Sequence, residues 1–161
     1  MKKEQSEQEA YAWAASRCAT TEYCEADLEQ KLLNKGLTLA MAHRVIEQLV
    51  KENFINEARY CRAFTNDKIR YAHWGRLKIK QAFCLKGANP RCYEAALQEI
   101  DEEEYTSLLH SVLLSKMRTI KAANHYERRG KLIRFALGRG FEMDFVIKEV
   151  DHLVTSYEEE D

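Results

Sequence analysis

The most chemically suggestive stretch of the chain is Lys68-Ile69-Arg70-Tyr71-Ala72-His73-Trp74-Gly75-Arg76-Leu77-Lys78-Ile79-Lys80. Cations alternate here with aromatic rings. Lysine and arginine meet phosphates or carboxylates, and a tyrosine or tryptophan ring can stack on an unpaired base. The rings also suit a plainer role, with Tyr71 and Trp74 plugging a gap between helices and Gly75 forming the turn. For the aromatics alone that plainer role is preferred. The cations argue differently. Residues 68–93 carry seven basic side chains (Lys68, Arg70, Arg76, Lys78, Lys80, Lys86, Arg91) and no acid. An ordinary solvated helix surface interleaves both signs. The stretch is therefore expected to face an anionic partner, with Lys68, Arg70, Trp74, Arg76, Lys78, Lys80 and Lys86 as candidate contacts.

A second basic block spans residues 115–141, with Lys116, Arg118, Lys121, Arg128, Arg129, Lys131, Arg134 and Arg139 against Glu127 alone. Several of these are expected to cover their own helices with aliphatic stems. Arg128, Arg129 and Arg134 are the candidate contacts. Acidic segments separate the blocks: residues 94–110 hold six acids and no base, and residues 142–161 hold eight acids and Lys148. The net charge of −1 hides this segregation. Such segregation creates a local field despite a near-zero total. That near-zero total also disfavours a dedicated stand-alone DNA binder, which is usually basic overall.

No catalytic constellation accompanies these charges. There is no GxxxxGK[ST] and no GxGxxG; Gly130-Lys131 lacks the upstream glycine and is expected at a helix start. The histidines His43, His73, His110, His125 and His152 are scattered, with no cysteine partner at metal spacing. The chain is expected not to be an enzyme and to need no metal or cofactor. Its five cysteines (Cys18, Cys24, Cys61, Cys84, Cys92) form no CxxC pair and are expected to be reduced and mostly buried. The chain opens MKKEQSEQEA, with no apolar leader, and no window approaches the roughly 18 apolar residues of a membrane helix. A cytoplasmic monomer without a membrane partner is expected.

The elements that must position these residues follow from an internal repeat. Lys35-Gly36, Lys86-Gly87 and Arg139-Gly140 share a cation–glycine step. Eight residues before each glycine stand Leu28, Ile79 and Leu132; four before, Leu32, Phe83 and Ala136. Five after stand Met41, Cys92 and Phe145; ten after, Ile46, Leu97 and Val150; thirteen after, Leu49, Ile100 and Leu153. Positions −8 and −4 share one helix face. Glycine then ends the helix in the left-handed conformation, and the cation before it complements the dipole. Thr38 and Asn89 fit N-caps, with Pro90 at a first helical position. A further helix precedes each pair, clearest in the stripe Tyr105, Leu108, Leu109, Val112, Leu113. The fold class expected is all-α, with nine helices in three tandem three-helix repeats over residues 5–54, 55–104 and 105–157. Such units form an elongated, curved array.

These residues resemble the RecX family, regulators of the RecA recombinase. Cys24-Glu25-Ala26-Asp27-Leu28-Glu29-Gln30-Lys31-Leu32-Leu33-Asn34-Lys35-Gly36 is similar to its S-E-x-E-L-x-x-K-L-x-x-K-G motif. Residues 49–64 (LVKENFINEARYCRAF) resemble its L-x-x-x-G-Y-L-D-D-x-R-F-A-x-x-F. Lys68 with Trp74-Gly75 and Lys78-Ile79, and later Lys131, Phe135 and Arg139-Gly140-Phe141, resemble its second- and third-repeat elements. The departures are Cys24 for the usual N-cap serine, Asn53 for a common glycine, and Asn56-Glu57 for an Asp-Asp pair. The resemblance implies a protein that binds the RecA–DNA filament. It would most readily inhibit extension, ATPase and strand exchange in homologous recombination and the SOS response. Single-stranded DNA would be met directly or through RecA. A stand-alone helical nucleic-acid-binding module and an adaptor for a partner helix are the competing readings.

Overall fold

A computed structural model describes residues 6–160 of the chain, with the side chains of residues 6–156. The predicted repeat limit at residue 5 and the side chains of the terminal acidic run lie outside the described residues. The described residues hold nine α-helices and no strand: α1 Glu7–Cys18, α2 Glu25–Asn34, α3 Leu39–Lys51, α4 Glu57–Asp67, α5 Arg76–Lys86, α6 Pro90–Gln98, α7 Glu102–Met117, α8 His125–Gly138 and α9 Met143–Glu160. A π-helical turn, Lys68–Ala72, continues α4.

The all-α expectation holds, and the repeat columns explain why. Leu28, Ile79, Leu132, Leu32, Phe83 and Ala136 are all completely buried. Gly36, Gly87 and Gly140 have φ of 97°, 70° and 92°. After each, the same double hydrogen bond closes the helix. Gly36 and Leu37 donate to the Leu33 and Leu32 carbonyls (3.0 and 3.3 Å), Gly87 and Ala88 to Cys84 and Phe83 (3.2 and 3.1 Å), Gly140 and Phe141 to Leu137 and Ala136 (2.9 and 3.2 Å). This is the Schellman closure. Leu37, Ala88 and Phe141, each just past its glycine, are buried as its apolar partner.

The caps also follow the residue types. Thr38 Oγ1 accepts from Met41 N–H (3.2 Å), and Asn89 Oδ1 from Arg91 N–H (2.9 Å) with Pro90 first in α6. Asn56 Oδ1 accepts from Arg59 N–H (2.9 Å), and Asn53 takes a left-handed φ of 63°. Cys24 makes no side-chain cap. Two expectations fail locally. Gly130 lies inside α8, whose N-cap is Asn124, six residues upstream. The chain after α4 turns at His73, in left-handed φ of 56°, and not at Gly75. Of the five thiols only Cys24 and Cys61 are buried, and Cys84 is exposed.

The chain forms two compact units. One holds the described residues through Thr65 with Ala82–Ala96, the other Asn66–Gln81 with the described residues from Leu97 onward. The first unit encloses Ala10, Ala14, Leu28, Leu32, Leu49 and Ile55. It also holds an aromatic cluster in which Phe83 stacks on Tyr93 (5.5 Å) and packs against Phe64 (4.8 Å) and Tyr60 (6.2 Å). The second unit centres on Tyr105, Leu109, Leu113, Leu132, Phe141, Val146 and Val150.

In the first unit Glu57 replaces the cap that Cys24 cannot give. Its two carboxylate oxygens accept from Glu25 N–H (3.1 Å) and Asn89 N–H (3.2 Å), clasping the starts of α2 and α6. Burial pushes this carboxyl above its usual range, against the two N–H bonds that favour its ionised form. A raised folded-state value contributes stability that is full below the ordinary carboxylate range and is lost as pH rises through the raised value. Glu57→Ala is expected to cost about 1–2 kcal/mol from two uncapped amides. The penalty should be larger at pH 4 than at pH 7 in urea unfolding. An equal penalty at both would remove the burial argument.

Candidate nucleic-acid and partner interface

The second unit places the start of α5 on the turn between α8 and α9 with backbone in direct contact. Gly75 N–H donates to the Arg139 carbonyl (2.8 Å) and Leu77 N–H to the Gly140 carbonyl (2.9 Å). A Cβ on Gly75 would fall inside van der Waals range of Gly140 C and O and Phe141 N. A Cβ on Gly140 would lie 2.6 Å from Lys78 N. Two glycines are what allow this approach. The stitch fixes the segment that carries the first basic block.

On that segment Trp74 is an organiser of cations. The Lys68 and Lys78 ammonium groups lie 4.9 and 4.8 Å from its ring centroid. The Trp74 backbone N–H donates to the carbonyl of Lys68, the first residue of the π-turn (3.1 Å). The ring is half-buried under this pair. Tyr71 is not an interhelix plug, because 79% of its surface is exposed. It is the ring in this segment left open for stacking.

The second basic block reaches the first through Arg139. Its Nη1 donates to the Ala72 carbonyl (3.2 Å), within the turn that joins Lys68 to Trp74. Its guanidinium lies 5.4 Å from the Phe135 centroid, and Lys116 Nζ sits 4.8 Å from the same ring. Lys68, Lys78, Arg139 and Lys116 are thereby held by one chain of contacts, although the sequence separates them into two blocks. Lys116 and Arg139 were not among the candidates. The four-residue step from Phe135 to Arg139, one helical turn, was the available signal.

Other candidates are placed differently. Arg76 is tied inward: Nη1 meets Glu142 Oε2 at 2.9 Å, and the guanidinium lies 3.9 Å from the Tyr105 centroid. Tyr105 OH accepts from Arg76 N–H (3.0 Å) and donates to Glu142. Burial, then the Glu142 carboxylate, push the Tyr105 hydroxyl well above its usual range. The acid missing from residues 68–93 is thus supplied to Arg76 by the third repeat. Arg129 pairs with Asp151 (2.7 Å). Arg70, Lys80 and Arg134 are exposed in the second unit and Arg128 is half-buried there, whereas Lys86 is exposed in the first unit. No three His, Cys, Asp or Glu side chains among the described residues are grouped to hold a metal, and no described helix is long and apolar enough to cross a membrane.

Known proteins resemble this chain in sequence and in fold. Residues 56–97 match the second three-helix domain of RecX and residues 102–148 the third. The regulatory protein RecX of Haemophilus ducreyi is 30% identical over 123 residues, which cover 74% of this chain and 76% of that protein. That of Clostridium perfringens strain 13 is 30% identical over 122 residues, 74% of this chain but only 57% of the relative. That of Clostridium acetobutylicum is 28% identical over 155 residues, 89% of this chain and 72% of the relative. The crystal structure of RecX from Lactobacillus salivarius superposes with a TM-score of 0.84 at 16% identity, covering 91% of this chain and 96% of that one. A second crystal structure, of regulatory protein RecX, gives 0.75 at 19% identity over 89% and 73%. At those identities the superpositions establish the all-helical fold. The sequence matches carry the rest: the chain belongs to the RecX family of regulatory proteins.

Proposed function

We propose that the chain regulates the RecA recombinase by binding the RecA–DNA filament and inhibiting its extension, ATPase and strand exchange. The observation that supports this best is the continuous cation–aromatic surface of the second unit, from Lys68 and Lys78 on Trp74, through Arg139, to Lys116 on Phe135. Such a surface suits phosphates or an acidic protein face. Three tandem repeats over residues 5–54, 55–104 and 105–157, a monomeric state and a cytoplasmic location complete the proposal. A regulator that prefers one filament state shifts the equilibrium by its difference in affinity between states.

The test is a titration of RecA's ATPase on single-stranded DNA. The chain should lower the rate at substoichiometric amounts. Lys68→Glu with Lys78→Glu should need about tenfold more protein, since two charge contacts of roughly 0.7 kcal/mol each are reversed. Unchanged ATPase and strand exchange at excess protein would reject the proposal. Equally tight DNA binding with and without RecA would favour a stand-alone nucleic-acid module instead.

A further inference from the structure

The corner between α7 and α8 holds a concavity of about 560 Å³ lined by Lys116, Lys121, Lys131, Arg134 and Phe135. Four cations converge on it. Against them stands the Glu127 carboxylate, 3.1 Å from Lys131 Nζ and also within reach of the Arg134 charge. Glu127 and Lys131 also pin the connecting loop: Glu127 Oε2 accepts from Ala123 N–H (3.1 Å), and Lys131 Nζ donates to the Lys121 carbonyl (2.6 Å). The loop bearing Lys121 is therefore anchored against α8. Phe135 lines the hollow, with Lys116 held over its ring. An apolar wall weakens the screening of charge beside it.

The negative end of the α7 dipole does not account for this cluster. The Lys116 carbonyl at that end already accepts from Thr119 N–H, Ile120 N–H and Thr119 Oγ1, each at 3.0 Å. Lys131 and Arg134 come from the middle of α8, where no helix end asks for a cation. Like charges gathered around a concave, partly apolar site are stabilised by an anion set among them.

We propose that this corner is a phosphate-binding site, taking either a backbone phosphate of single-stranded nucleic acid or a free polyphosphate. The inference deepens the reading above by giving the nucleic acid a contact of its own, and it is tested without RecA. Wild type and the double variant Lys121→Ala, Arg134→Ala are titrated against a fluorescent oligothymidylate and against tripolyphosphate. Both side chains are exposed, so far-UV circular dichroism should match wild type. Arg134→Gln alone serves as a milder second variant.

The double variant should lose at least tenfold in affinity for the bound anion. Its slope of log affinity against log salt should be shallower by about 1.4, for two phosphate contacts on a single strand. Loss confined to the oligonucleotide identifies a nucleic-acid backbone, and loss confined to tripolyphosphate identifies a free polyphosphate. If neither ligand distinguishes the variants from wild type, the site is overturned, whatever the RecA titration gives. A RecA ATPase that ignores the chain, with the oligonucleotide loss intact, would instead overturn only the filament proposal.

Discussion

Gly75→Ala is expected to destabilise the fold by about 3 kcal/mol, lowering the melting temperature by roughly 6–12 °C for a chain of this size. The new methyl meets no flexible side chain that could swing away. It meets backbone, the carbonyl of Gly140 and the nitrogen of Phe141. Relief requires α5 to move off the α8–α9 turn, which stretches the Gly75–Arg139 and Leu77–Gly140 hydrogen bonds. Gly140→Ala should cost more. Its methyl runs into Lys78 backbone, and its φ of 92° lies where a side chain is strained. Gly138 supplies the control. It ends α8 with open space around it, so Gly138→Ala should be neutral or stabilise by up to about 1 kcal/mol. Thermal unfolding of the three variants checks this. Wild-type melting of Gly75→Ala would mean the close approach does not hold the unit together.

That junction shows how far residue types alone reach. The columns at −8 and −4, the three turning glycines and the Thr38, Asn56 and Asn89 caps depend on local periodicity and local hydrogen bonds. They were legible because each is decided within a few residues of itself. Gly75 looked like another turn residue, because a glycine needed for close approach and one needed for positive φ are the same letter. What separates them is a partner 65 residues away, Gly140. The same distance hid the acid that neutralises Arg76 and the hydrogen bond from Arg139 to Ala72. Unmixed charge along residues 68–93 pointed to a working surface. It could not tell which cations are matched by acids from elsewhere in the chain. Lys86, grouped with the others by sequence, falls in the other compact unit.

Tyr105→Phe isolates the buried half of that matching. The ring would still pack against Phe141 (5.3 Å) and Phe145 (5.7 Å) and lie beneath the Arg76 guanidinium. Only the hydroxyl goes, leaving Arg76 N–H and Glu142 Oε1 without it. The expected loss is about 1–3 kcal/mol, the cost of polar groups stranded away from water. Arg76→Ala strands the Glu142 carboxylate and should cost about 2 kcal/mol. That is less than a fully buried pair, since 20% and 23% of the two side chains remain exposed. Because the three groups share one network, the double variant should fall short of the sum by about 1 kcal/mol. Arg76 and Lys78, two residues apart, then divide by role. Arg76→Ala should lose stability and keep its affinity for the oligonucleotide. Lys78→Ala, which keeps the Cβ beside Gly140, should hold stability within about 0.5 kcal/mol and lose affinity. If Arg76→Ala unfolds like wild type yet binds several-fold more weakly, Arg76 belongs to the working surface and the internal pairing is incidental.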